Sequence, residues 1–261
     1  MDATIVGYAL ALFVGISLGL IGSGGSILTV PILVYILKIE PFLATAYSLF
    51  IVGSTALVGG IQNAINRKVN YKLVFLFGIP SLIAVYVMRA FVLPLVPDTL
   101  VIGSLNLSKN VLLMVLFALV MFTSSVKMIR PKAITPSTTP PKKSSLMLQG
   151  VLIGIVAGTV GAGGGFLIIP ALVLFANVSM KEAVGTSLFI VAIQSLFGFL
   201  GDAGNPLIDW PLLVTFSAIA VMGIFIGIFL TRFIPDHNLK KGFGYFVLLM
   251  ALYILTKEVF F

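Results

Sequence analysis

The sequence predicts an all-α polytopic membrane protein, arranged as an inverted-topology repeat of two five-segment halves with Gly-broken helices or re-entrant hairpins. Three observations carry that prediction: a composition too apolar for a soluble fold, a series of long apolar runs, and a gapless match between the two halves of the chain. Of the 261 residues, 59% are hydrophobic and 9% charged, against about 25% charged in a soluble globular chain. The mean hydropathy is +1.19. The runs are long enough to cross a hydrocarbon core about 30 Å thick, for which roughly 20 residues suffice.

Taken in order, the apolar segments read as 4–21, 24–37, 43–62, 71–89, 110–128, 146–160, 164–177, 182–201, 210–231 and 242–257. The first begins directly after Met1-Asp2 with no basic leader, so no removable signal peptide is expected. Between the fifth and sixth segments, residues 130–145 are rich in proline, hydroxyl and basic side chains and read as a polar linker. The linker separates a first transmembrane repeat, 1–129, from a second, 146–261. The net charge of +8 comes from basic residues at the ends of apolar runs and in the linker, where they act as topology signals; nucleic acid is not expected as a partner. The chain has no cysteine, which excludes disulfides and thiolate metal sites.

Shifting by 139 positions lays Gly15–Val52 on Gly154–Val191 without a gap, and 16 of the 38 pairs are identical. The matched residues include Gly22 with Gly161, Gly24 with Gly163, Gly25 with Gly164, and Pro31 with Pro170. Matched glycines and prolines at one offset mark an internal duplication, which apolar composition alone would not produce. Loop charge sets the sidedness. Arg67, Lys68 and Lys72 in loop 63–72 and the lysines of the linker are expected in the cytoplasm, as is 232–241. The counterpart of loop 63–72, at 202–211, carries Asp202 and Asp209 with no basic residue. We therefore place 97–109 and 202–209 outside, which makes the two halves inverted copies, as in many secondary transporters. Each glycine cluster leaves open two short transmembrane helices or one re-entrant hairpin, so the crossing number is six, eight or ten.

The candidate site is built from the clusters Gly22-Ser23-Gly24-Gly25-Ser26 and Gly161-Ala162-Gly163-Gly164-Gly165. Each glycine in a helix costs about 1 kcal/mol, so the chain is expected to break there and start a half-helix near Gly25 or Gly164. Broken backbone at membrane depth survives only where protein or a watery cavity satisfies it. A half-helix N-terminus suits an anion without a buried basic side chain. The competing reading is that the glycines only let helices pack closely. Downstream, Ser48, Val52, Thr55, Gly59 and Asn63 share one helical face, repeated by Ser187, Val191, Gln194, Gly198 and Asp202. Thr186 lies beside that face, as do Thr45, Tyr47, Gln62 and Ser195. For any of these polar residues the alternative is a bond to a neighbouring helix, or for a hydroxyl a bond returned to its own helix backbone.

The substrate-binding set expected on these grounds is Gly22, Ser23, Gly24, Gly25, Ser26, Ser48, Thr55, Gly161, Gly163, Gly164, Gly165, Thr186, Ser187 and Gln194. Uncharged donors, rather than an arginine, are expected to set selectivity. Arg89, before Pro94, and Arg232, before Pro235, read as interfacial side chains snorkelling to water. No catalytic residue is expected. The single histidine, His237, falls in a cytoplasmic loop far from Ser23 and Ser26, and neither cluster ends in the Gly-Lys-Ser/Thr of a nucleotide-binding loop. No metal-ligand spacing and no cofactor motif occur.

At the two clusters the chain resembles the TauE/SafE family, the sulfite exporter and 4-toluene sulfonate uptake permease family. The resemblance rests on Gly19–Pro31, on Gly158–Pro170 and on Ala183–Leu188, and extends over nearly the whole chain. It implies a multi-pass carrier in a bacterial or archaeal plasma membrane, moving sulfite, a sulfonate, or another small sulfur-containing or carboxylate anion. Ser26 stands where the second cluster has Gly165, so the halves are not expected to bind identically. The partners are a small anion and the bilayer, with a proton or sodium as the open choices of coupling ion. The alternatives are a passive anion channel and a non-transporting scaffold subunit.

Overall fold

Each apolar run folds as a helix, and the glycine clusters interrupt the helical path where they were expected to. The fold is that of a computed structural model, which describes residues 3–102, 105–129, 143–176, 178–230 and 236–260. Most of the linker 130–145, together with Arg232 and Pro235, lies outside the described residues.

Helix α1 is Ala3–Ile21. Helix α2, residues 22–36, starts as a 3₁₀ turn over Gly22–Leu28 and ends with a wider π-helical turn over Ile32–Ile36. Helix α3 is Pro41–Ile65, opening on a proline that needs no hydrogen bond at the first helical position. Helix α4 is Tyr71–Leu95. Two π turns, Val74–Gly78 and Met88–Val92, precede Pro80 and Pro94, whose rings would clash with the carbonyl four residues back in a regular helix. A short antiparallel hairpin follows, β1 Thr99–Ile102 with β2 Leu105–Ser108, Thr99 opposite Ser108. It occupies the segment expected as an external loop and has no equivalent in the second half among the described residues. Helix α5 is Lys109–Ile129.

The second half repeats the series: α6 Lys143–Val160, α7 Gly165–Phe175, α8 Met180–Leu200, α9 Trp210–Leu230 and α10 Asp236–Phe260. Ser179 caps α8, its hydroxyl accepting the Glu182 N–H. With 11 residues, α7 spans about 16 Å at 1.5 Å per residue, roughly half a bilayer core. Six helices among the described residues are long and apolar enough to cross a membrane. Large apolar side chains such as Phe75, Met222 and Leu249 face outward, whereas Ser48, Thr55, Gln194 and Ser195 are fully buried. That distribution suits a lipid surroundings, in which polar groups belong inside the bundle.

The contacts between the halves are reciprocal. The Asn70 N–H donates to the Thr186 hydroxyl (2.9 Å). The Asp209 N–H, at the matched position, donates to the hydroxyl of Tyr47, which matches Thr186. Asn70 and Asp209 also cap α4 and α9 alike, accepting the N–H groups of Leu73 and Leu212. Gly22 faces Val184, and Gly161 faces Thr45, the counterpart of Val184. Gly15 of α1 lies on the backbone of Ala220 in α9, and Gly154 of α6 lies on the backbone of Ser81 in α4. The 139-residue offset therefore continues well past Val52. Between α3 and α8, Gly53 faces Leu196 and Gly60 faces Phe189, so these two matched helices run antiparallel.

Gly15 and Gly154 are where the packing role of glycine is plainest. A side chain at either would enter a neighbouring helix backbone, and overpacked cores lose about 1–3 kcal/mol or more. Gly15→Leu and Gly154→Leu should each sharply lower the monodisperse fraction of detergent-purified protein on size-exclusion chromatography. An unchanged profile for both would mean that these helices do not need this close approach.

Candidate functional site

The second glycine cluster forms a tight backbone turn at the centre of the bundle. Gly161, Gly163 and Gly164 have φ of +72°, +65° and +64°, and Gly22 matches Gly161 at +71°. Two consecutive left-handed residues, Gly163 and Gly164, are open to glycine and strained for other side chains. Gly164 is the N-cap of α7, so the half-helix begins where it was expected. In the first half the path differs: α2 itself opens at Gly22 with the 3₁₀ turn of residues 22–28.

Gln194 holds the turn. Its Nε2 donates to the Gly163 carbonyl and its Oε1 accepts from Ser81 of α4, so one fully buried amide ties α8, α4 and the turn together. A Cβ placed on Gly163 would lie 2.8 Å from Ser195 Oγ and about equally close to the side chains of Val52 and Val191. These two valines are repeat counterparts, so both halves contribute side chains beside the turn. The hydroxyls of Ser195, Ser48 and Thr29 are buried without a hydrogen-bond partner among the described residues. Buried orphan hydroxyls are uncommon and carry a desolvation cost of about 1–3 kcal/mol.

The other candidates divide. Ser26 and Gly165 are buried at the clusters, while of Ser23, Gly24 and Gly25 only the backbone path is described. Thr55 donates to Ile51 O of its own helix (2.7 Å) and Ser187 to Val184 O (2.9 Å). Thr186 is engaged with the Asn70 N–H at the loop end of α4, away from the turn. The structure thus brings Gly163, Gly164, Gln194 and Ser195 together, and gives Thr55, Ser187 and Thr186 bonds that belong to the scaffold.

Arg89 corrects the sequence reading. It does not snorkel: it is fully buried, with Nε donating to Asp202 Oδ2 (2.6 Å) and Nη1 to Thr45 Oγ1 (2.9 Å). The pair joins α4 of the first half to the turn after α8 in the second. Ser81, on the same helix, was also missed. The repeat held a signal for Arg89, since its counterpart is Ile228 and that of Asp202 is Asn63. Both positions break the repeat in charge.

The sequence profile of the sulfite exporter TauE/SafE family matches residues 8–254 of the chain. The chain belongs to this family. A probable membrane transporter protein of Xylella fastidiosa (strain 9a5c) is 30% identical over 253 residues, covering 94% of this chain and 92% of its own length. A probable membrane transporter protein of Haemophilus influenzae is 28% identical over 258 residues, covering 93% and 94%. The Arabidopsis thaliana sulfite exporter TauE/SafE family protein 5 matches 109 residues at 29% identity, 40% of this chain and 24% of its own. No solved structure matches the chain significantly. Membership in this family makes the protein a multi-pass transporter of the cell membrane and not an enzyme.

Proposed function

We propose that this TauE/SafE transporter is a secondary carrier of a small anion, sulfite, an organosulfonate or a related sulfur-containing or carboxylate species. The anion passes the centre of the bundle beside the Gly161–Gly165 turn. The observation that carries this reading is the left-handed Gly163-Gly164 step held by Gln194, with the unpartnered hydroxyls of Ser195 and Ser48 buried in the same core. A bare backbone turn lets an anion approach N–H groups closely, and spare hydroxyls can donate to its oxygens. Uncharged donors grip an anion modestly, which lets it leave again. The half-helix α7 places its positive dipole end at this turn.

A thermal-shift screen of the purified protein against sulfite, methanesulfonate, sulfate and acetate tests the substrate class. A ligand at a hundred times its Kd stabilises the native state by about 2.7 kcal/mol. At least one of the monovalent anions should raise the unfolding temperature in proportion to the logarithm of its concentration. No response to any of them would remove the anion reading.

In this reading the two halves are inverted about an axis in the membrane plane and rock against each other to expose the centre alternately. The reciprocal contacts and the antiparallel α3 and α8 support it. Because the chain lacks cysteine, single substitutions report sidedness cleanly. Lys68→Cys should react with an impermeant maleimide only from the cytoplasmic side and Asn205→Cys only from outside. Labelling of both from one side would refute the inversion.

A further inference from the structure

The end of the molecule where α4 finishes and α5 begins holds more buried positive charge than negative. Arg89 is fully buried, Lys109 is 8% exposed, and Asp202, also 8% exposed, is the carboxylate paired there. Both cations lie against one ring, Arg89 Cζ at 5.5 Å and Lys109 Nζ at 4.4 Å from the centre of Phe42. Lys109 Nζ donates to the Leu93 carbonyl (2.6 Å). The remaining carboxylates at this end, Glu40, Asp98 and Asp209, are exposed, and none pairs with Arg89 or Lys109. Glu40 accepts from Asn110 and Asp209 caps α9.

Among the described residues, two buried cations against one buried carboxylate leave a positive charge without an ion-pair partner, an arrangement that is costly unless something completes it. One donor is also left over. Arg89 uses Nε for Asp202 and Nη1 for Thr45, and its Nη2 has no acceptor among the described residues. Thr45 is saturated, since it accepts from Arg89 and donates to the Phe42 carbonyl (2.7 Å); its role is to fix the guanidinium fork. The matched positions in the second half are Lys181 for Phe42, Val184 for Thr45 and Ile228 for Arg89, so the cluster exists on one side of the molecule alone.

We propose that Arg89 and Lys109 form an anion-binding site, separate from the Gly163 turn, that takes a small monovalent oxyanion. One oxygen of the anion accepts from Arg89 Nη2, and its charge balances the second cation. Arginine suits this task because its planar fork presents parallel donors that match an oxyanion. Arg89 is closed off from solvent, so the anion enters only when the packing around its free Nη2 opens. The site deepens the carrier reading and rests on it only for what the anion is, namely the transported species on its way in or out. Lipid phosphate has the same chemistry, so the test separates the two sources.

Methanesulfonate and sulfite binding is measured by calorimetry on the detergent-purified protein at mildly acidic pH, where sulfite is the monovalent hydrogensulfite, with and without added phosphatidylglycerol. Lys109→Gln leaves the Arg89–Asp202 pair intact and should weaken binding by about tenfold, whereas Asp202→Asn raises the local positive charge and should tighten it by about as much. The opposite signs protect the test, because general loss of structure would weaken both. Unchanged affinity in both variants, or a response to phosphatidylglycerol alone, would overturn the site. If the variants bind as wild type does and wild-type flux persists in proteoliposomes, this site is wrong and the carrier reading stands. If wild type neither binds nor moves any of these anions, both are wrong.

Discussion

Gly163→Leu should abolish anion flux while leaving a protein that inserts in the membrane. Its φ of +65° is followed by +64° at Gly164, and holding a non-glycine residue in that region costs about 1–2 kcal/mol. A Cβ there would meet Ser195 Oγ at 2.8 Å and Val52 Cγ1 at 3.0 Å, so a leucine must displace the side chains beside the turn. The collision is with side chains, which can give, and that separates this position from Gly15 and Gly154, which meet helix backbone. Gly24→Leu, at the matched position, is expected to have the same phenotype. Normal membrane levels with flux lost to the proteoliposome background is the expected outcome. Near-normal flux in both variants would return the glycines to a packing role.

Arg89→Gln should destabilise the protein by about 3–5 kcal/mol, because it takes from the buried Asp202 carboxylate the cation that is hydrogen-bonded to it. Arg89→Gln with Asp202→Asn removes both charges and should recover most of that loss. Thermal unfolding in detergent, read by tryptophan emission from the single Trp210, compares wild type, both single variants and the double. A lipid-interface arginine predicts a different pattern, with the single variant within about 0.5 kcal/mol of wild type and no recovery in the double. That pattern would contradict the buried pair.

These two positions also show how far the sequence could be read. Gly163 was legible because consecutive glycines at matched places in an apolar chain have few structural uses. The ten apolar runs were legible for a similar reason, since run length and turn residues alone locate membrane helices. Arg89 was not. Its run ends near Pro94, and run length says nothing about which way a helix end faces or what stands beside it. The deciding facts are a π turn over Met88–Val92 and the proximity of Asp202, some 113 residues later in the chain. Thr55 and Ser187 illustrate a second limit. A hydroxyl on the expected face can turn to its own backbone, as both do, while Ser48 on that face is left without a partner. Helical spacing places the Cβ and leaves the rotamer open. The hairpin at Thr99–Ser108 was missed because two four-residue strands in a polar-apolar loop carry too short an alternation to distinguish.

Counterflow separates carriage of a small anion by alternating access from the other ways this TauE/SafE transporter could move it. Proteoliposomes loaded with unlabelled sulfite, methanesulfonate or acetate are diluted into buffer containing a trace of the same labelled anion. A carrier should draw the label in above its equilibrium level before it decays, and Gly163→Leu should show no such overshoot. Label that only equilibrates would contradict a carrier in favour of a channel, and uptake no faster than in protein-free liposomes for all three anions would contradict anion transport itself.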